Sequence, residues 1–88
     1  MTYQIFLHPK ADGALKKLDK KIKITVKKKI RELTDFPEKG ERLLGTNFWK
    51  TRSGNYRIIY EIETKPDRVI ILYIGHRKHV YDEFQRLL

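Results

Sequence analysis

The sequence predicts an α+β fold: a small antiparallel sheet, two N-terminal helices packed on one of its faces, and a short C-terminal helix. Three patterns predict it. Apolar residues recur every three or four positions between Ala11 and Phe36, which is helical periodicity. Short β-favouring runs, TYQIFL, FWKTR and NYRIIYEIE, are set apart by turn residues. The segment RVIILYIGH is apolar almost throughout, as a central strand is when it is covered and paired on both edges. The predicted order is β, α, α, β, β, β, α.

Residues 2–7 form the first strand, and His8-Pro9 ends it because proline cannot donate to a ladder. Leu15, Leu18, Ile22, Val26, Ile30 and Leu33 then fall on one helical stripe, with lysines filling the other face. Asp19-Lys20 is the expected break, where aspartate caps a second helix and makes an antiparallel pair. Phe36-Pro37 closes the helical region, and Gly40 and Gly45 mark a loop. A hairpin follows, FWKTR and NYRIIYEIE joined by a turn at SGN; TKPD leads into RVIILYIGH. Val80, Phe84 and Leu87 at helical steps predict the terminal helix. No repeat or linker interrupts the chain, so a single domain is expected over residues 1–88.

Composition narrows the function classes. The absence of cysteine removes disulfide frameworks, thiolate nucleophiles and cysteine-based metal sites. No apolar run approaches the roughly 18 to 20 residues needed to span a bilayer, and the N-terminus lacks a leader pattern, so a cytoplasmic protein without a membrane partner is expected. Twenty Lys and Arg against eleven Asp and Glu give a formal charge of +9, which makes polyanions the natural partners, nucleic acid first. Gly40 and Gly45 have P-loop spacing, but Thr46-Asn47 follows where Lys and Ser/Thr are needed, so no nucleotide site is expected.

Residues two apart on a strand share a face, so Lys50 and Arg52 project together. A two-residue turn at Ser53-Gly54 sets Lys50 opposite Arg57; a four-residue loop sets Arg52 opposite Arg57. Either register gathers cations, whereas a three-residue loop would put Arg57 on the opposite face; like charges across a ladder destabilise it by roughly 0.2 to 1 kcal/mol. Packing alone does not call for that, whereas an anionic ligand does. His76-Arg77-Lys78-His79 and Tyr81 gather imidazole, guanidinium and phenol at the end of the central strand. His76 and His79 have only His8 as a third imidazole, so neither a metal site nor any other cofactor is expected. The helix lysines are read as a solvated face.

The segments LLGTNFWKTRSGNYRIIYEI and VIILYIGHRKHVY resemble the second half of RelE-type toxins, in which a basic strand, Tyr-Arg-x-x-Tyr and Gly-His-Arg-x-x-x-Tyr recur in this order. The first half agrees in its strand and basic helix pair. The resemblance implies a RelE-like fold and the toxin of a toxin–antitoxin module. It further implies a ribosome-dependent endoribonuclease that cuts mRNA in the decoding site, inhibits translation, and is neutralised by an antitoxin. Carried over by position, Lys50 matches a basic strand residue implicated as base or transition-state stabiliser, and Arg57 the phosphate-binding arginine. Arg77 matches the arginine of charge stabilisation or leaving-group protonation, and Tyr81 a substrate-orienting tyrosine. A second lysine of one branch is replaced here by Phe48.

Cutting RNA without metal requires a base for the 2′-hydroxyl, charge stabilisation on five-coordinate phosphorus, and an acid for the 5′-oxygen. Catalytic roles are expected for Lys50, Arg57, Arg77 and Tyr81, and RNA contacts for Arg52, His76, Lys78 and His79. Arg77, His76 or His79 serves as acid, and Glu61 is the fallback base. The expected partners are the ribosome with its mRNA and a cognate acidic antitoxin. Two rivals stand beside this reading: a ParE-like topoisomerase inhibitor of the same fold, and a non-catalytic nucleic-acid-binding module that stacks bases on Trp49, Tyr56 and Tyr60. The alternation of Tyr56, Ile58, Tyr60 and Ile62 fits a core face better than a stacking platform.

Overall fold

His8-Pro9 ends one element and begins the next. In the computed structural model, which describes residues 2–76, strand β1 (Gln4–Leu7) leads directly into helix α1 (Pro9–Lys16). Proline at the first helical position forfeits a donor that would have had no partner anyway, and His8 caps the helix by accepting from the Lys10 amide through Nδ1 at 3.2 Å. The helix therefore starts two residues before the periodic apolar pattern. Helix α2 (Lys20–Glu32) begins after Asp19, at the expected break. Strands β2 (Glu41–Arg42), β3 (Phe48–Ser53), β4 (Tyr56–Glu63) and β5 (Arg68–His76) complete the sheet.

The five strands lie in the order β1-β5-β4-β3-β2. Strands β2 to β5 are mutually antiparallel, as expected, but β1 runs parallel to β5. The helix pair carries the chain across the sheet after β1, and parallel pairing needs such a crossover. Strand β2 was not expected, because two polar residues carry no periodic signal. The terminal helix expected around Val80 to Leu87 lies outside the described residues, as do Arg77, Lys78, His79 and Tyr81.

The helices pack on one face of the sheet. Ala11, Leu15, Val26, Ile30 and Leu33 meet Ile58, Tyr60, Val69, Ile71 and Ile74 in one buried cluster, with Leu18 and Ile22 against it. This is the predicted stripe, and each fully buried Ile or Val stabilises the fold by about 1.5–3 kcal/mol relative to exposure. On the other face Ile59 is buried beneath Leu43, Phe48, Leu72 and Tyr73. Among the described residues no helix is long and apolar enough to cross a membrane.

One irregularity decides which side chains reach which face. Along β5 the register with β4 steps from Ile59↔Tyr73 to Tyr60↔Ile71, so Leu72 is an extra residue. Such a bulge reverses the alternation beyond it. Val69 and Ile71 face the helices before it, and Ile74 faces them after it.

Candidate functional site

The β3–β4 hairpin turns at Gly54-Asn55, with Gly54 at φ 60°, the glycine-first pattern of a II′ turn. Ser53 and Tyr56 continue the ladder up to that turn, which sets Arg52 opposite Arg57 and Lys50 opposite Ile59. Of the two expected registers, the one that opposes two arginines is adopted. Trp49, Ile58 and Tyr60 belong to the helix-side core, so Lys50, Arg52 and Arg57 are left to the opposite face.

There they line a concavity of about 350 Å³ together with Lys39, Gly40, Glu41 and Thr51. Among the described residues, four cations stand against one carboxylate. Lys50 Nζ lies 3.8 Å from Glu41 Oε2, and the Glu41 side chain is 80% exposed. An ion pair this open to water contributes about 0–1 kcal/mol, so an incoming anion can displace it at little cost. Neither Arg52 nor Arg57 forms a salt bridge among the described residues. Two guanidinium groups held side by side, neither paired with a carboxylate among the described residues, suit a phosphate, whose oxygens match their paired N–H donors.

Lys39 and Glu41 come from a segment in which sequence reasoning placed only a loop. What holds it lies on the reverse of the sheet. Tyr60 is fully buried, and its hydroxyl donates to the Pro37 carbonyl at 2.6 Å. A Cβ on Gly40 would come within 2.5 Å of both that hydroxyl oxygen and the Lys50 carbonyl oxygen. Only glycine lets the segment lie this close to β3, which is the signal the sequence offered.

Burial pushes the Tyr60 phenol up to about 12, opposed in part by hydrogen bonding to the Gly40 backbone. Because the folded value exceeds the ordinary value of 10.0, this contribution is complete below pH 10 and is lost as pH rises toward 12. Denaturant midpoints at pH 9 and pH 11.5 should therefore show the wild type losing on the order of 2 kcal/mol more than Tyr60→Phe. Equal losses would remove Tyr60 as the source.

The structure does not bring every expected residue to the pocket. His76 pairs with Tyr56 and meets it edge-to-face at 5.7 Å, and Tyr56 packs on the helix-side core. Simple alternation from Ile71 would have put His76 on the pocket face; the bulge at Leu72 puts it on the other. Glu61 shares the open face but sits opposite Phe48 and does not line the pocket. The carboxylate that does is Glu41. Trp49 and Tyr60 stack on each other at 6.4 Å within the helix-side core, so their rings serve packing. No cluster of three His, Asp or Glu side chains with metal-binding geometry occurs among the described residues.

Comparison with known proteins gives one family. The family model described as "ParE toxin of type II toxin-antitoxin system, parDE" matches residues 5–81. Among solved structures, the RelBE2 toxin–antitoxin complex of Mycobacterium tuberculosis contains a chain 27% identical, with a TM-score of 0.78 over 88% of this chain and 93% of that one. The archaeal RelE–RelB complex of Pyrococcus horikoshii OT3 matches at 29% identity and a TM-score of 0.75, over 88% and 97%. A mutant E. coli RelE in the free state matches at 25% identity and a TM-score of 0.79, over the full length of both chains. No curated protein matches.

Proposed function

The chain belongs to the ParE toxin family of type II toxin–antitoxin systems, within the RelE/ParE superfamily, and among the activities of that superfamily we propose for it a ribosome-dependent endoribonuclease that cuts mRNA in the decoding site. The observation that carries this reading is the pocket in which Lys39, Lys50, Arg52 and Arg57 stand with the exposed Glu41 carboxylate, the one acidic lining residue among the described residues. A topoisomerase poison needs a docking surface but no such cation-lined concavity.

The 2′-hydroxyl attacks the adjacent phosphorus as the Glu41 carboxylate, released when the phosphate draws Lys50 to itself, takes up its proton. Arg57 and Arg52 hold the non-bridging oxygens, whose charge grows as phosphorus becomes five-coordinate. The bond to the 5′-oxygen then breaks, leaving a 2′,3′-cyclic phosphate and a 5′-hydroxyl end. The departing oxygen takes its proton from Arg77 or His79, and Tyr81 orients the substrate. Arg52, with Lys78, extends the contact to neighbouring phosphates. All of this proceeds without metal or another cofactor.

The M. tuberculosis and P. horikoshii relatives are toxin–antitoxin complexes. The corresponding partner here is an acidic antitoxin that covers the cationic face. The working place of such a toxin is the cytoplasm, with the ribosome and its mRNA.

A second reading is favoured by the family model itself, which describes a ParE toxin: inhibition of a topoisomerase such as gyrase. One experiment separates them. The purified chain is incubated with translating ribosomes and, in parallel, with gyrase, and new mRNA ends are mapped. The nuclease reading expects cuts at the decoding site with 5′-hydroxyl ends, and a more than tenfold loss in Arg77→Ala. Blocked supercoiling with intact mRNA would replace it with the second reading.

A further inference from the structure

Tyr60 is a buried ionisable group for which the cleavage scheme has no use. The ring stacks on Trp49 and shares its cluster with Ile58, Val69, Ile71 and Ile74, and phenylalanine would satisfy the same burial. The hydroxyl needs another explanation. It reaches 23 residues back along the chain to the Pro37 carbonyl, at the first residue of the 3-10 turn Pro37–Lys39. The Gly40 backbone closes on the same oxygen, and a Cβ there would touch it and the Lys50 carbonyl at 2.5 Å each. One hydroxyl, one glycine and the backbone of Lys50 therefore meet at a single point behind the pocket.

From that point the chain runs outward in both directions to charged lining residues. Lys39 precedes Gly40 and Glu41 follows it. Their other supports are slight. Strand β2 is two residues long and pairs with Lys50 and Trp49. Lys39 reaches Glu32 of α2 at 3.9 Å with 60% of its side chain exposed. A pair of ladder residues and two open ion pairs, Lys39–Glu32 and Glu41–Lys50, do not fix a wall; a buried hydrogen bond does, because in a dry setting no water replaces it when it is lost.

We propose that Tyr60 is a positioning residue for the pocket: through its hydroxyl it latches the Pro37–Gly40 segment to the back of β3 and so sets where Lys39 and Glu41 stand relative to Lys50 and Arg57. The substrate-side part of this inference rests on the RNA reading above. Tyr60 touches no substrate; it acts through the two residues on either side of Gly40. The aromatic ring belongs to the core, and the hydroxyl belongs to the site.

The test uses the full chain and ribosomes programmed with an mRNA carrying a single 2′-deoxy nucleotide at the cleavage position, so that binding is read without turnover. Tyr60→Phe is expected to weaken binding by roughly three- to tenfold, the range of one buried hydrogen bond. In a Lys39→Ala/Glu41→Ala background, which changes only exposed side chains, the same substitution should cost less than about twofold, because the wall it positions no longer carries charge. Amide hydrogen exchange should quicken at Gly40 and Glu41 while Ile58 and Ile71 stay protected. Unchanged binding, an equal loss in both backgrounds, or exchange that quickens throughout the sheet would overturn the latch. A wild-type chain that does not bind the programmed ribosome would overturn the nuclease reading instead, and the exchange measurement would still decide whether the hydroxyl holds the segment.

Discussion

Replacing Arg57 by alanine is expected to lower mRNA cleavage on programmed ribosomes by about 10²- to 10³-fold, the range seen when one donor to a developing oxyanion is removed. The same change should leave the fold as stable as before or slightly more so. Arg57 stands directly opposite Arg52, and relieving a like-charge cross-strand pair returns roughly 0.2 to 1 kcal/mol. Activity and stability thus move in opposite directions, a signature a structural arginine does not give. Single-turnover rates read beside melting temperatures supply both numbers. A rate within threefold of wild type, or a clear loss of melting temperature, would show that Arg57 serves the sheet and not the phosphate.

Gly40→Ala is expected to be the most damaging glycine substitution among those with described surroundings. The new methyl would sit 2.5 Å from the Lys50 carbonyl oxygen, a backbone atom in the centre of a paired strand, and 2.5 Å from the Tyr60 hydroxyl, which is fully buried. Neither can swing aside, so the cost should be about 1–3 kcal/mol of stability. Displacement of Lys39 and Glu41 should add a loss of RNA cleavage. Gly45→Ala is the control: Gly45 has φ 76° and nothing within 4 Å of its added Cβ. It costs left-handed backbone strain, roughly 1–2 kcal/mol, at a loop position that does not line the pocket. Comparison of the two at matched melting temperature should show a cleavage defect in Gly40→Ala alone. Equal cleavage by both would mean that the Gly40 contact is a packing detail.

Much of this architecture can be read from local chemistry. The stripe from Leu15 to Leu33 places the helix pair because burial of apolar area is set by which residues share a face, and helical spacing states that directly. The hairpin and the gathering of Lys50, Arg52 and Arg57 follow from the period of two and from turn residues. The apolar run at 68–76 announces a strand paired on both sides, and β5 is so paired. Tyr56, Ile58, Tyr60 and Ile62 declared a core face by the same alternation, and all four pack into the helix-side cluster.

Three features escaped local reading for one shared reason. The direction of β1 beside β5, the two-residue strand at Glu41–Arg42, and the bulge at Leu72 are properties of pairing between segments remote in sequence. A run such as QIFL states that it will be a strand without stating which neighbour it takes or in which sense. The bulge had the largest consequence, since it moved His76 to the helix side while Arg57 stayed on the open one.

The chain's own chemistry therefore determined its class, its element order, its charge and the cationic cluster of the hairpin, because each depends on spacing along a single element or across one short turn. Only the folded sheet decided that Glu41 rather than Glu61 stands beside Lys50, that Lys39 joins the pocket, and that a tyrosine from the core holds them there. Those contacts close over separations of 9 to 23 residues, where register, bulge and close backbone approach, and no local preference, fix which side chains meet.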